Sequence, residues 1–404
     1  MITLGLIKEN KQPPDRRAAF TPTQCTTIMS HFKNCKILVE SSPDRIFSDA
    51  HYINQGINVT QNLSDCDILL GIKEVPIQDL ISDKTYLFFS HTLKKQEQNR
   101  ELLRAMIQKN IRFIDYECLV WPNGSRVLGF GRYAGLVGAY ETLRAIGKKY
   151  KSFALKAAYE CEDYSEMLKT LRLITPVLKQ MKLKIVITGS GRVSNGADEL
   201  LKEIGLQKVS PNAFINSNHF ESVYTLLDTH ELYKRMDGEP WQKDHFYHNH
   251  SCYESIFKPY TTVANVLING IFWDKALPPH FSKADTQDPN FSIKIIGDIS
   301  CDIEGSVPIT LRDTTAENPV FGWDAQNQCE CEPYSQNSID VMAVSNLPTE
   351  LPADASEGFG EELIKTIIPQ LFHPSTDMIK NATLCENGHL TEKFQYLSDY
   401  VSIA

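Results

Sequence analysis

Short apolar runs alternate with amphipathic stretches over roughly the first 120 residues of the chain. The apolar runs read ITLGLI, KILVES, DILLGIKEV, TYLFFS and IRFIDYECLV, whereas PTQCTTIMSHF and RELLRAMIQKN have helical spacing. Strands that alternate with helices are typical of βαβ units, in which the helices cover a parallel sheet. This part of the chain is therefore predicted to form an α/β domain.

A second alternating region follows a long helical passage. The stretch from Phe130 to Tyr150 is helical and carries a face of small residues, namely Gly131, Gly135, Gly138 and Ala139. A polar, helix-prone segment continues to about Lys182 and gives way to KLKIVITGSGRVSNGADELLKEIG, YTLLD, TVANVLING and IKIIGDIS. These runs predict a second α/β unit, with FGEELIKTIIPQLF as a late helix that packs back on the first domain.

The predicted fold class is α/β, with two Rossmann-like domains that contain parallel sheets and a cleft between them. Residues 1–135 together with about 340–404 are predicted to form a substrate or catalytic domain, and residues 136–339 a dinucleotide-binding domain. The length of 404 residues agrees with two domains of ordinary size.

Composition and charge exclude several classes of function. The fractions of hydrophobic residues (42%) and charged residues (23%) are those of a folded globular chain. The net charge of -9 has the wrong sign for a nucleic-acid-binding protein, and no apolar stretch is long enough to cross a membrane. The ten cysteines are scattered, and the start MITLGLIKEN lacks the layout of a signal peptide. A cytoplasmic protein is expected, with no nucleic-acid or membrane partner and with homo-oligomerisation left open.

A glycine-rich turn connects the strand KIVIT to an amphipathic helix in the segment TGSGRVSNGA. A turn of this kind lets backbone N–H groups approach a pyrophosphate at a helix N-terminus. Ser194 stands where the usual GxGxxG pattern has its third glycine, and an ordinary strand-to-helix turn is the alternative. The predicted cofactor-binding residues are Gly189, Ser190, Gly191, Arg192 and Val193.

The residues expected to bind the cofactor's adenosine ribose decide between NAD(H) and NADP(H). An acidic residue about 20 positions further on, at the end of the next strand, is the usual mark of NAD(H). The corresponding stretch LQKVSPNAF offers Ser210 and Lys208 instead of an acid. NADP(H) is therefore the favoured cofactor, with Ser210 as a binding residue, and NAD(H) stays open as the alternative.

Polar side chains follow several predicted strands, and ligands of parallel α/β folds gather at the carboxyl ends of strands. These side chains are Lys73 and Glu74, His91 and Lys94, Asp115, Glu117 and Arg126, and Asp298 and Asp302, with Arg17 in the first strand-to-helix loop. A set that combines Lys, His, Glu and Arg suits acid–base chemistry on an anionic substrate. Taken singly, each is more often a surface or structural residue.

The run HFYHNHSCY brings three histidines and Cys252 close together along the chain. Its spacing matches no standard zinc site, so a polar loop is expected and no metal is assigned.

Nine segments, taken in order, resemble one family of enzymes. They are RRAAFTP, LLGIKEVP, KTYLFFSHTLK, IRFIDYECLV, GFGRYAGLVG, TGSGRVSNGA, PYTTVANVLINGIFWD, GDISCDIEGS and NLPTELPADASEGFG. They resemble the N-terminal lysine–2-oxoglutarate reductase part of aminoadipic semialdehyde synthase, in the group of lysine-forming saccharopine dehydrogenase and alanine dehydrogenase. The resemblance covers nearly the whole chain, and VLINGIFWD and DISCDIEGS look specific to the reductase branch.

The resemblance implies that the ε-amine of lysine condenses with the ketone of 2-oxoglutarate and that NAD(P)H reduces the resulting imine to saccharopine. It implies the following roles: Lys73 and His91 form the acid–base pair, Arg17 and Arg126 bind carboxylates, Glu74 and Glu117 lie near the amines, Lys94 and Tyr133 are neighbouring site positions, and Asp302 lies near the cofactor. Saccharopine carries three carboxylates and two amines, which agrees with a site of mixed charge.

The sequence departs from the family in two respects. Arg192 stands where reductase relatives commonly have Asn, and the fused glutamate-forming half is missing, so a separate glutamate-forming saccharopine dehydrogenase is expected in the pathway. An NAD-dependent, lysine-forming saccharopine dehydrogenase is the nearest alternative, and alanine dehydrogenase is a weaker one. A non-catalytic amino-acid or nucleotide sensor is the third, although such relatives usually lose residues like Lys73 and His91.

Overall fold

The computed structural model describes residues 1–372 and 376–402, and the chain divides into two compact units. Unit 1 contains Met1–Phe130 and Pro352–Ala404, and unit 2 contains Gly131–Leu351. Each unit has its own sheet, so the chain returns to unit 1 after unit 2 is complete.

The strands and helices follow in chain order. The strands are β1 (Ile2–Leu6), β2 (Cys35–Glu40), β3 (Asn58–Thr60), β4 (Ile68–Leu70), β5 (Thr85–Phe88), β6 (Arg112–Asp115), β7 (Lys184–Thr188), β8 (Gln207–Lys208), β9 (Val223–Leu227), β10 (Tyr233–Arg235), β11 (Tyr253–Ser255), β12 (Val266–Asn269), β13 (Ile295–Asp298), β14 (Val320–Asp324), β15 (Cys329–Cys331), β16 (Ile339–Met342), β17 (Thr383–Glu386) and β18 (His389–Leu390). The α-helices are α1 (Pro22–His31), α2 (Asp49–Asn54), α3 (Arg100–Gln108), α4 (Gly131–Tyr150), α5 (Tyr164–Gln180), α6 (Arg192–Glu203), α7 (Pro211–Asn216), α8 (Thr229–Leu232), α9 (Lys243–His248), α10 (Lys258–Thr261), α11 (Pro352–Glu362), α12 (Ile368–Leu371), α13 (Asp377–Ala382) and α14 (Ser398–Val401). Within the described ranges, none of these helices combines the length and apolar character that a bilayer crossing requires.

The sheet of unit 1 has the described strand order β18-β17-β6-β5-β4-β1-β2-β3. The strands from β1 to β6 pair in parallel, and β17 and β18 extend the sheet in antiparallel fashion. β4 is buried along its whole length and is entirely apolar, which is typical of a parallel strand covered on both faces. The carboxyl ends of β1, β4, β5 and β6 therefore meet at one edge of this sheet.

The sheet of unit 2 has the described strand order β15-β14-β16-β13-β12-β7-β9-β8. The strands from β8 to β16 along this order pair in parallel, and β14 and β15 are antiparallel additions. β7 lies between β9 and β12, so the chain leaves β7 toward one side of the sheet and later returns on the other. Such a reversal point is where parallel α/β sheets bind ligands. The prediction of an α/β fold with two mostly parallel sheets is confirmed.

Close contact between α4 and α6 fixes the position of α6 in unit 2. A Cβ atom at Gly135 would lie 1.9 Å from the carbonyl oxygen of Val193, and one at Gly196 would lie 2.2 Å from that of Arg132. Glycine at both positions lets the two helix backbones approach closely. The small-residue face of α4, through Gly135, thus sets where the N-terminus of α6 lies.

A buried carboxyl group, that of Glu350, leads to a prediction about pH. Burial, and after it the charge of Glu141, raises the pKa of Glu350 to about 8 against the opposing charge of Arg144. The unfolded chain releases this proton near the ordinary value of 4.5, so the folded chain holds more protons between about pH 4.5 and 8. The free energy of unfolding therefore falls as pH rises through this window.

We expect Glu350→Gln to remove this part of the pH dependence, since an amide carries no charge at either end of the window. The measurement is the urea midpoint at about pH 6 and about pH 8.5 for the wild type, for Glu350→Gln and for the control Glu361→Gln, which changes an exposed carboxylate. The difference between the urea midpoints at the two pH values should shrink in Glu350→Gln alone. An equal difference in all three proteins would contradict the prediction.

Candidate active site

The loop after β4 carries Lys73 at the carboxyl edge of the unit 1 sheet. The carboxylate of Glu9, just beyond β1, accepts the backbone N–H of Ile72 at 2.6 Å and that of Lys73 at 2.9 Å. This carboxylate lies close to Gly71, where a Cβ would be 3.4 Å from Glu9 Oε1, an ordinary contact distance. Burial raises the pKa of Glu9 to about 7. Glu9 therefore holds the backbone that places Lys73.

Lys73 is half-buried, and it lies near the buried ion pair between Arg17 and Asp15. Burial, followed by the charge of Arg17, lowers the pKa of the Lys73 ammonium, while Glu74 and Asp15 act in the opposite direction. A lysine with a lowered pKa has a larger neutral fraction near neutral pH, so it can accept and return a proton. The environment of Lys73 is thus suited to acid–base chemistry.

His91 stands at the end of the neighbouring strand β5 and pairs with Glu74. Its Nδ1 lies 2.6 Å from Glu74 Oε1, and Lys11 Nζ lies 2.8 Å from Glu74 Oε2. Burial opposes the charge of Glu74, but the hydrogen bonds from His91 and Lys11 outweigh it and lower the pKa of Glu74 to about 2. His91 has φ +51, in the left-handed region, which turns the chain sharply after the strand. The ionised Glu74 orients the imidazole and leaves Nε2 as its other proton-carrying atom.

Arg17 is almost fully buried and paired with an acid two residues before it. Its Nε lies 2.9 Å from Asp15 Oδ1, and its second terminal nitrogen lies 2.5 Å from Asp15 Oδ2. The guanidinium also sits over the ring of Phe130, 4.2 Å from its centroid. Burial opposes ionisation of Asp15, but Arg17 outweighs it and keeps the pKa of Asp15 below its usual range. In this structure Arg17 contributes its charge to the surroundings of Lys73 from within the core.

Of the other predicted substrate residues, three lie in unit 1 and one lies in unit 2. Glu117, after β6, forms an ion pair with Arg126 at 3.1 Å, and the side chain of Arg126 is 57% exposed. Lys94 is exposed in the turn after His91. Tyr133 is buried in α4 of unit 2, where the guanidinium of Arg132 lies over its ring. Unit 1 therefore brings together Lys73, Glu74 and His91, and it places Arg126 and Lys94 as exposed cations.

The glycine turn of unit 2 joins β7 to the N-terminus of α6. Gly189 has φ +95, and Gly191 is the N-cap of α6, a helix of 12 residues. A Cβ built at Gly191 meets nothing within 4 Å, so there is open space beside this residue at the start of α6. Ser194, at the position of the usual third glycine, is buried and donates its hydroxyl to the carbonyl oxygen of Thr188 at 2.8 Å.

The strand next to the glycine strand is β9 and not β8, which corrects the sequence argument about the ribose. β8 lies at the edge of the sheet, and Ser210 after it caps α7 by accepting the N–H of Ala213. β9 pairs with β7 along its length and is followed by Asp228, whose Oδ1 accepts the hydroxyl of Ser190 at 2.6 Å. The premise that no acid stands at this strand end was wrong, because the chain visits the edge strand first.

The carboxyl ends of β12 and β13 carry a buried polar network. Asn269 donates to Asp298 Oδ1 at 2.8 Å and to Ser306 at 2.8 Å, and its Oδ1 accepts the hydroxyl of Thr188 at 2.6 Å. Burial raises the pKa of Asp298, while hydrogen bonds from Thr310, Asn269 and Ser300 oppose this. Asp298 is thus a structural centre of this edge, whereas Asp302 is exposed in the turn that follows.

The histidine-rich run forms α9 and the turn before β11. His245 lies 3.0 Å from the hydroxyl of Tyr253, and His248 lies 2.7 Å from the carbonyl oxygen of Asp244. Among residues 1–372 and 376–402, no group of three or more His, Cys, Asp or Glu side chains is placed to hold a metal ion.

Four residues at these strand ends and loops were not predicted from the sequence: Glu9, Lys11, Asp15 and Asp228. Glu9 and Asp228 follow strands β1 and β9, so the rule of strand carboxyl ends could have found both. Asp15 lies two residues before Arg17, but only the fold shows that the pair is buried.

Comparison with known proteins relates the chain to a dehydrogenase family model and to two groups of sequence relatives. Residues 5–137 match the family model of the alanine dehydrogenase/PNT N-terminal domain. The chain is 28% identical to the mitochondrial α-aminoadipic semialdehyde synthase of Mus musculus over 98% of its length and 47% of that protein, and 28% identical to the α-aminoadipic semialdehyde synthase of Arabidopsis thaliana over 98% of its length and 41% of that protein. The chain thus spans less than half the length of these synthases.

A second group of relatives has nearly the same length as the chain. The lysine-forming, NAD(+)-dependent saccharopine dehydrogenase of Yarrowia lipolytica is 24% identical over 91% of the chain and 92% of that protein. Among solved structures, an L-alanine dehydrogenase superposes with a TM-score of 0.68 and 15% identity over 99% of the chain and all (100%) of that protein. A transhydrogenase from Sinorhizobium meliloti has a TM-score of 0.57 and 12% identity over 96% of the chain and 98% of that protein. These structures show the fold, and the sequence relatives show homology to dehydrogenases.

Proposed function

We propose that this homologue of α-aminoadipic semialdehyde synthases and lysine-forming saccharopine dehydrogenases is an NAD(P)H-dependent oxidoreductase that acts on a CH–NH bond. Its substrates are L-lysine and 2-oxoglutarate, and its product is saccharopine. The observation that carries the proposal is the placement of Lys73, with its lowered pKa, beside the His91–Glu74 pair at one sheet edge.

The reaction needs proton transfers at two stages. Attack of the lysine ε-amine on the ketone requires the ammonium to lose a proton, and loss of water from the carbinolamine requires the hydroxyl to gain one. Lys73 can exchange such protons because its own pKa is lowered. His91, oriented by Glu74, offers Nε2 as a second proton carrier. Reduction then adds a hydride to the imine carbon and a proton to its nitrogen.

The substrates also require groups that bind carboxylates and amines. Arg126 and Lys94 are exposed cations at the sheet edge, which suits the carboxylates of 2-oxoglutarate and lysine. Glu117 lies beside Arg126 and can attract a substrate ammonium. We assign Arg17 the role of a buried charge that helps to lower the pKa of Lys73. It would bind a substrate carboxylate only after releasing Asp15.

The residues of unit 2 fit a nicotinamide dinucleotide. Gly191 leaves open space at the N-terminus of α6, where backbone N–H groups and the helix dipole favour a pyrophosphate. When bound, the reduced nicotinamide supplies the hydride. Ser190 and Val193 belong to the same turn, and Asp302 follows β13 at the carboxyl edge of the same sheet.

The nearest second candidate is the same reaction in the direction that forms lysine. The Yarrowia lipolytica relative, which matches the chain over nearly its full length, carries this activity in its name. The two candidates share every site residue, so kinetics in both directions must separate them.

The experiment is an initial-rate assay that follows the loss of absorbance of reduced nicotinamide. We expect turnover only when lysine and 2-oxoglutarate are both present, with either NADH or NADPH supplied in parallel reactions. Oxidation of saccharopine by NAD⁺ or NADP⁺ measures the reverse direction. Turnover with pyruvate and ammonia alone would instead indicate an alanine dehydrogenase, and no turnover in any mixture would refute the proposal.

A further inference from the structure

Asp228 occupies the position in unit 2 at which Rossmann-type domains place the acid that binds the adenosine ribose. It follows β9, which pairs with the glycine strand β7 from Lys184↔Val223 to Thr188↔Leu227. The N–H of Gly189 donates to the carbonyl oxygen of Leu227 at 2.9 Å, so the glycine turn and the end of β9 are joined by backbone as well. The hydroxyl of Ser190 completes the connection by donating to Asp228 Oδ1.

The carboxylate of Asp228 is held in place and remains accessible. Its Oδ1 also accepts the N–H of Thr229 at 2.5 Å, which makes it the N-cap of α8. Burial opposes its charge, but the hydrogen bonds from Ser190 and Thr229 outweigh it and lower the pKa of Asp228. The side chain is 44% exposed, and Oδ2 makes a longer contact of 3.6 Å with His230 Nδ1. Oδ1 thus accepts the hydrogen bonds from Ser190 and Thr229, and the carboxylate as a whole stays partly exposed.

We propose that Asp228 makes this chain selective for NAD(H) over NADP(H). A carboxylate at this place accepts hydrogen bonds from the 2′- and 3′-hydroxyls of the adenosine ribose. The 2′-phosphate of NADP(H) would instead meet a like charge close by, which is strongly unfavourable. The inference rests on the proposed function, because it specifies the cofactor that the same reaction uses.

The charges around Asp228 support this selectivity. Lys208 and Asp198 form an ion pair at 2.7 Å, so the lysine that the sequence offered to a 2′-phosphate has an acidic partner. His230 Nδ1 lies 3.6 Å from Asp228 Oδ2, and the His230 ring centroid lies 6.0 Å from that of Trp241.

The test measures binding without turnover. Quenching of tryptophan fluorescence, to which Trp241 contributes, reports the dissociation constants of NADH and NADPH for the full chain in the absence of substrates. We expect the wild type to bind NADH at least about tenfold more tightly than NADPH. Asp228→Asn keeps the shape of the side chain and one acceptor oxygen, and it should reduce this ratio at least about tenfold, mainly by tighter binding of NADPH.

The control is Asp237→Asn, which removes the same charge from an exposed carboxylate paired with Arg235 and should leave the ratio unchanged. A wild type that prefers NADPH would overturn the inference without any variant, as would an unchanged ratio in folded Asp228→Asn. Tight NADH binding together with a silent saccharopine assay would refute the proposed function alone. Failure of the folded wild type to bind either dinucleotide would refute both.

Discussion

Replacing Lys73 by methionine is expected to lower kcat for the lysine and 2-oxoglutarate reaction by about a hundredfold or more, the effect typical of losing a positioned acid–base group. Methionine has a similar length and fills the half-buried position, but it carries no proton to exchange. The dissociation constant of reduced dinucleotide should stay within about twofold of the wild type, because the glycine turn lies in unit 2. Initial rates and a fluorescence titration measure the two quantities.

The matched control is Lys95→Met, which removes an exposed lysine whose partner is Asp399 on the surface. It should retain wild-type kcat, so that loss of one positive charge cannot by itself explain the result. The pH profile provides a second readout, because the limb that reports the lowered pKa of Lys73 should disappear from whatever activity remains. Full activity in Lys73→Met would refute its assignment as the proton carrier.

The placement of Lys73, Glu74 and His91 at one sheet edge could be predicted from the sequence because it depends on a local rule. Lys73, Glu74 and His91 each follow an apolar run directly, and parallel strands bring their carboxyl ends to one edge. The prediction therefore needed only the strand assignment and not the full topology. The buried pairing of Arg17 with Asp15 could not be predicted from strand assignment alone. Burial of both side chains depends on Phe130 and the surrounding core, which only the folded structure shows.

The ribose acid could not be found from the sequence by counting residues. The chain leaves α6, makes the two-residue edge strand β8 and the helix α7, and only then enters β9 beside the glycine strand. Spacing rules assume that the next strand in the chain is the next strand in the sheet, and here it is not. Asp228 therefore lies some way beyond the segment that held Ser210, although the run YTLLD was itself recognised as a strand.

Gly135→Ala is expected to be the most destabilising single substitution considered for unit 2. The added Cβ would lie 1.9 Å from the carbonyl oxygen of Val193, 2.8 Å from the N of Ala197 and 2.9 Å from the Cα of Gly196. All three are backbone atoms, so no side-chain rotation relieves the contact and α4 must move away from α6. Overpacking of this kind costs about 3 kcal/mol or more, against a gain of only about 1 kcal/mol from the higher helix propensity of alanine. Urea unfolding measures the loss.

Two further alanine substitutions separate this effect from a general intolerance of larger residues. At Gly138 the Cβ would meet the flexible side chain of Ile299 at 2.5 Å, which can shift, so Gly138→Ala should cost less than Gly135→Ala. At Gly191 the Cβ meets nothing within 4 Å and φ is -81, so stability should change by less than about 1 kcal/mol. Gly191→Ala should nevertheless weaken dinucleotide binding, because the glycine lets the backbone approach the pyrophosphate. If Gly135→Ala proved as stable as Gly191→Ala, the close approach of α4 and α6 would not be what holds α6 in place.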